Sequence, residues 1–196
     1  MEEHKEQKTG RWKLFAVVAI CAAPMVASYL TYYVIKPQAR TNYGALIDPR
    51  AHPIPLLGST SLDGQPATLE EYKGKWVMLQ VDESDCLEKC QSKLYEMRQL
   101  RLTQGKDMDR IERVWLVTDA QPLETRTLRE YDGTHVLRVN PVALKAWLPV
   151  EDGTTVSDHL YMIDPLGNLM MRFPKDADPN KMKKDITKLL NASRIG

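Results

Sequence analysis

The sequence predicts an α/β fold with a mixed central sheet, preceded by a single transmembrane helix. Three observations carry that expectation. A long run without a charge lies near the N-terminus, from Leu14 to Ile35. Beyond it, short apolar runs alternate with segments of three- and four-residue periodicity. A strand–turn–strand signal and an amphipathic helix then close the chain. With 43% hydrophobic and 27% charged side chains, the 196 residues fit neither a collagen-like, a disordered nor a multi-span membrane protein. Twenty-seven basic residues stand against 26 acidic ones, so no field for nucleic acid is implied.

The charge-free run, LFAVVAICAAPMVASYLTYYVI, is long enough at about 1.5 Å per residue to cross a hydrocarbon core of roughly 30 Å. Pro24 is tolerable in such a helix. Trp12 at one end and Tyr29, Tyr32 and Tyr33 at the other sit where aromatic belts belong. Lys5, Lys8, Arg11 and Lys13 precede the run, whereas only Lys36 and Arg40 follow closely. The positive-inside rule then expects a cytoplasmic N-terminus (residues 1–13), an anchor at 14–35, and everything downstream exported. In a bacterial cell this means a single-pass inner-membrane protein with a periplasmic domain. A cleaved signal peptide is the alternative, although the run exceeds the usual h-region of about 7–15 residues. Cys21 falls inside the run and is expected to be an ordinary apolar side chain there.

Residues 36–55, KPQARTNYGALIDPRAHPIP, carry four prolines and little periodicity, and are expected to form an extended tether. His52 is then a solvated linker histidine. Residues 56–196 are the size of one domain. Within it, Asp63-Gly64 marks a turn, and Trp76–Val81 (WVMLQV) suits a buried central strand. Ser84-Asp85 opens a helix, with Asp85 as N-cap and Glu88 completing a capping box. Leu87, Cys90, Leu94, Met97 and Leu100 recur at helical spacing along it. Val114–Thr118 reads as a second buried strand, and residues 122–131 as a helix. His135–Val139 reads as a third strand and Pro141–Pro149 as a short helix. Leu160–Ile163 and Leu169–Phe173, joined through Asp164-Pro165-Leu166-Gly167-Asn168, form a hairpin. The last helix starts near Pro179 and carries Met182, Ile186, Leu189 and Leu190 on one face. This order, β-α-β-α-β-(α)-β-β-α, is that of a thioredoxin fold.

The chemistry concentrates in Asp85-Cys86-Leu87-Glu88-Lys89-Cys90. A spacing of four puts both sulfurs on one helical face, close enough to bond or to share a metal. A helix N-terminus favours thiolate over thiol, and thiolate is the form that attacks disulfides and binds soft metals. An inert structural disulfide is the plain alternative. His159 is either a ligand or a hydrogen-bonded structural residue. His135 at a strand edge and the methionines Met78, Met97, Met162, Met170 and Met171 are expected to be structural. No glycine-rich phosphate loop and no Ser-His-Asp arrangement stands out.

The stretch IPLLGSTSLDGQPATLEEYKGKWVMLQV followed by Cys-x-x-x-Cys resembles the Sco/SenC proteins, within the wider thioredoxin-like superfamily. VWLVTD (Val114 to Asp119) and DHLYMIDPLGNLMMRF (Asp158 to Phe173) extend the resemblance over about Ile54 to Asn191. It implies a copper-handling protein that helps build the binuclear copper centre of cytochrome c oxidase. Cys86 and Cys90 would be thiolate ligands for a copper ion, and His159 the third. The implied partner is the oxidase's copper-binding subunit or another copper or thiol assembly factor. The chain departs from the family pattern in having Leu87 and Gln91, not proline, after the cysteines. His159 also stands closer to Asp164-Pro165 than the family's spacing. A second expectation therefore stands beside the first: a thiol-disulfide oxidoreductase in which Cys86 attacks and Cys90 resolves, reducing the cysteines of an oxidase or cytochrome assembly client.

Overall fold

The structure, a computed structural model, describes residues 3–35, 42–193 and 195. It divides into two compact units, residues 1–41 and 42–196. In the first, helix α1 (Glu3–Leu30) contains Pro24 and continues as a five-residue π-helical turn, Thr31–Ile35. Its segment Arg11–Val34, 24 residues, is long and apolar enough to cross a membrane. At about 1.5 Å per residue that is roughly 36 Å, more than a hydrocarbon core requires. Leu14, Phe15, Ile20 and Met25 are exposed on its surface, as lipid-facing side chains are. Cys21 is exposed there too.

The second unit is an α/β sandwich with the thioredoxin-like order of elements. Its six strands are β1 (Ala45–Leu46), β2 (Trp76–Asp82), β3 (Ile111–Val117), β4 (Thr134–Arg138), β5 (Leu160–Ile163) and β6 (Leu169–Arg172). They lie in the order β1-β6-β5-β2-β3-β4. β2, β3 and β4 are parallel, whereas β5, β6 and β1 add antiparallel pairings. Among the described residues the α-helices of this unit are α2 (Glu88–Leu102), α3 (Thr125–Glu130), α4 (Pro141–Trp147) and α5 (Pro179–Ala192). β2 sits mid-sheet because every residue from Trp76 to Val81 is buried, as a strand covered on both faces must be. Alternation along β2 sends Trp76 and Met78 toward α2 and α5, with Met97, Met182 and Ile186. It sends Val77, Leu79 and Val81 to the other face, with Leu144 and Trp147 of α4.

Three expectations are corrected here. The helix after β2 starts at Glu88 with Leu87 at its N-cap, and no side chain caps it. Asp85 cannot cap it, because the chain first makes a turn: the Cys86 amide donates to the Glu83 carbonyl at 3.3 Å. The helix expected over 122–131 is shortened to Thr125–Glu130. The Arg138 guanidinium donates to the carbonyls of Asp119 and Gln121, at 2.7 and 2.8 Å, and so draws the lead-in into an extended path.

The described part of the expected tether, residues 42–55, belongs to the sheet edge; residues 36–41 lie outside the described residues. β1 pairs with β6, and the Leu169 amide donates to the His52 carbonyl at 2.9 Å. The amides of Tyr43 and Gly44 donate to the buried Asp185 carboxylate, at 2.6 and 2.9 Å. A Cβ on Gly44 would meet Met171 at 2.7 Å, so only glycine lets the chain lie this close. Proline is compatible with such a sheet edge, which is why Pro49, Pro53 and Pro55 did not prevent docking.

Candidate functional site

The site is built where β2 runs out and α2 begins. Asp82 ends the strand, and the Ser84 amide and hydroxyl both donate to the Asp119 carboxylate, the hydroxyl at 2.8 Å. That contact pins the turn 83–86 to the end of β3. Cys86 follows with φ of +34°, a left-handed backbone that a non-glycine residue adopts at a cost of about 1 kcal/mol or more. Leu87 returns to an extended conformation and stands 70% exposed. Cys90 is the third residue of α2. The two cysteines are joined by a disulfide, with Cα atoms 5.0 Å apart. The Gln91 side chain donates to the Cys86 carbonyl at 3.0 Å, closing the junction from the helix side.

Both cysteines are 2% exposed and pack with Leu94, Trp115, Val117 and Tyr131. Cys90 nonetheless forms part of the wall of an open cleft of about 650 Å³, together with Asp85, Leu87, Lys145 and Asp158. Lys93 braces one side, donating to the Asp82 carboxylate at 2.9 Å and to the Ser157 carbonyl. Asp158 accepts from the Thr155 amide and pairs with Lys175. The Thr155 hydrogen bonds and the Lys175 cation hold its carboxyl at about 2, well below its ordinary value. A sulfur–sulfur bond thus stands beside a charged, water-accessible cleft.

Beneath the disulfide lies Gln80, fully buried in the central strand. Its Nε2 stands 3.4 Å from Cys90 Sγ, and its Oε1 is buried with no hydrogen-bond partner. The sequence carried one signal of it: an amide in the otherwise apolar WVMLQV run.

His159 stands elsewhere. Leu160 packs with α2 and α5, and Tyr161 with α4. His159 is extended, at φ −120° and ψ 153°, and its ring meets Tyr161 edge-on with centroids 6.1 Å apart. Its side chain thus lies on the α4 face, across the sheet from Gln80 and Cys90. Nδ1 donates to the Phe173 carbonyl at 2.9 Å, and Nε2 is 2.7 Å from the Thr154 hydroxyl. Burial pushes its pKa below the ordinary value. The structure brings Cys86 and Cys90 together and leaves His159 apart from them. Among the described residues, no three His, Cys, Asp or Glu side chains gather in a way that could hold a metal ion. The Cys₂His set expected for copper does not fit this arrangement, because both imidazole nitrogens already have hydrogen-bond partners and the ring lies on the other face of the sheet. His135 lies 3.2 Å from Glu112 and stacks near Tyr72. Met78, Met97, Met162 and Met171 are core residues.

Fold and site together define a thioredoxin-like domain with a disulfide at the start of its first helix, following a helix long enough to cross a membrane. The chain belongs to the transmembrane-like, thioredoxin-like family: the model of that family's C-terminal domain matches residues 76–193, and the model of its transmembrane-like N-terminal domain matches residues 5–34. None of the curated proteins matches the chain. Among solved structures it is similar to copper-bound yeast Sco1, at 17% identity and a TM-score of 0.54, over 78% of this chain and 90% of that one. It is similar to a SCO1/SenC family lipoprotein from Bacillus anthracis, at 16% identity and 0.54, over 74% and 99%. A thiol:disulfide interchange protein from Bacteroides aligns at 15% identity and 0.52, over 73% and 91%. The Sco/SenC resemblance of the motifs thus extends to the three-dimensional fold, which those neighbours share.

Proposed function

We propose that this chain is a membrane-anchored thiol-disulfide exchange protein whose Cys86–Cys90 pair acts on the cysteines of an exported client. One observation carries the reading: the only disulfide among the described residues closes at the wall of an open cleft, at a strand-to-helix junction. In the reducing direction, a thiolate of the pair attacks a client disulfide, forming a mixed disulfide and releasing one client thiolate. The second thiolate of the pair then attacks its partner's sulfur, re-forming Cys86–Cys90 and releasing the other client thiolate. Two electrons pass to the client, and a dithiol reductant restores the pair. An inner-membrane anchor with a periplasmic domain, and a client whose cysteines bind copper in cytochrome c oxidase, complete the proposal. The excess of basic residues before the span and the fold shared with Sco proteins support it. Exchange with a peptide disulfide tests it. The parent chain is expected to turn over, and Cys86→Ser or Cys90→Ser to lose at least a hundredfold in rate; equal rates in parent and variants would sink the reading.

A second reading is favoured by the sulfur pair itself. Once reduced, two soft thiolates four residues apart suit Cu(I) as cargo. Anaerobic titration of the reduced chain is then expected to show copper binding that needs both cysteines and is unchanged in His159→Ala.

A further inference from the structure

We infer that Gln80 is a positioning residue for the disulfide: its amide stabilises negative charge on Cys90, sets the pair's reduction equilibrium, and makes Cys90 the sulfur that carries the client. The role of client carrier rests on the exchange reading above. Gln80 is fully buried in the strand between β3 and β5, in register with Trp115 and Leu160. A leucine there would fill the site without a polar atom. Gln80 instead buries an Oε1 that has no partner, a burden of about 1–3 kcal/mol, and such a group calls for an explanation. Its other end supplies one. A disulfide sulfur has no proton to donate, so the amide must present an N–H to Cys90 Sγ at 3.4 Å. When the sulfur–sulfur bond opens, the same N–H donates to a sulfur carrying charge, and a charge-assisted hydrogen bond is stronger than a neutral one.

The donor acts on one sulfur only. Among the described residues no side chain donates to Cys86 Sγ, and Cys90, not Cys86, contributes to the cleft wall. In the reducing direction Cys90 Sγ then attacks the client disulfide: a Cys90–client bond forms, the client's own bond breaks, and one client thiolate leaves. Cys86 Sγ attacks Cys90 Sγ, the Cys86–Cys90 bond re-forms, and the second client thiolate leaves. This order reverses the roles expected from position in the sequence.

The test uses the full chain in detergent micelles, with Cys21→Ser in every variant so that only the pair reacts. Gln80→Leu and Gln80→Met are equilibrated with glutathione buffers at pH 9. Losing a hydrogen bond to a charged sulfur is expected to move the equilibrium about tenfold toward the disulfide, about 30 mV for two electrons. With a peptide disulfide, Cys86→Ser is expected to accumulate a mixed disulfide and Cys90→Ser is not. A merely structural Gln80 would alter thermal stability and leave the equilibrium where it was. An equilibrium within twofold of the parent in both folded Gln80 variants, or a mixed disulfide trapped on Cys86 instead, overturns the inference. Should the parent exchange with no peptide while the equilibrium still shifts tenfold, the exchange reading falls and Gln80's hold on the equilibrium stands.

Discussion

On the α2 face of the sheet, Gln80 meets the Cys86–Cys90 disulfide with one amide atom engaged and the other buried bare. On the α4 face, two positions before Tyr161, His159 is equally buried, yet both ring nitrogens have partners in Phe173 and Thr154. Two buried polar side chains at the same end of one sheet thus do opposite things. A network whose members are all bonded rigidifies a core and resists change. A group left half-bonded beside a breakable bond can respond when the charge of its neighbour changes. On the proposed reading the cysteine face carries the chemistry and the histidine face is structural, although the motifs alone draw all three residues into one site.

The contrast is most strongly tested on the histidine side. His159→Ala strands the Phe173 carbonyl and leaves a cavity, so it is expected to cost about 2–4 kcal/mol of stability in denaturant unfolding. Disulfide exchange by the folded fraction should remain at the parent rate. A loss of exchange without a loss of stability would move His159 back into the site.

Removing the disulfide comes next. Cross-linking residues four positions apart closes a short loop, for which the chain-entropy estimate is about 2 kcal/mol. Reduction of the parent chain should therefore lower its unfolding free energy by about that amount and leave the far-ultraviolet spectrum unchanged. A loss several times greater would make the disulfide a structural staple, and the cysteine face would no longer differ in kind from the histidine face.

The smallest effect is a pH limb. Burial depresses the His159 pKa below its ordinary 6.5, so below that pH the unfolded chain binds a proton that the folded one refuses. Stability should hold above pH 6.5 and fall as pH drops from there toward the depressed value, at no more than about 1.4 kcal/mol per pH unit. His159→Gln should flatten this limb. A limb that persists in His159→Gln would assign it to another group.

Much of the fold was legible because it is written in local periodicity. The charge-free run at the N-terminus, the buried WVMLQV strand, the β5–β6 hairpin and α5 with Met182 and Ile186 on one face all read correctly from spacing alone. The closeness of the cysteine pair was legible but its cause was not: a shared helix face was expected, whereas Cys86 precedes α2 and its left-handed turn brings it to Cys90. The start of α2 was not legible. Asp85 and Glu88 have the spacing of a capping box, but the turn pinned by Asp119, a residue 35 positions away, moved the helix start to Glu88. The docking of residues 42–55 was hidden too, because its partners, Asp185 and β6, lie far along the chain.

Residue spacing alone shows that an apolar helix precedes an α/β domain and that two cysteines lie four positions apart. What surrounds them depends on contacts between segments distant in the chain. Which face of the sheet His159 takes, just before β5, follows from the register of β5 against β2 and β6. A shift of one residue would have turned its ring toward the cysteine face of the sheet. The packing of α2 back over β2 puts Gln80 beneath Cys90, where residue spacing shows only one amide in an apolar run.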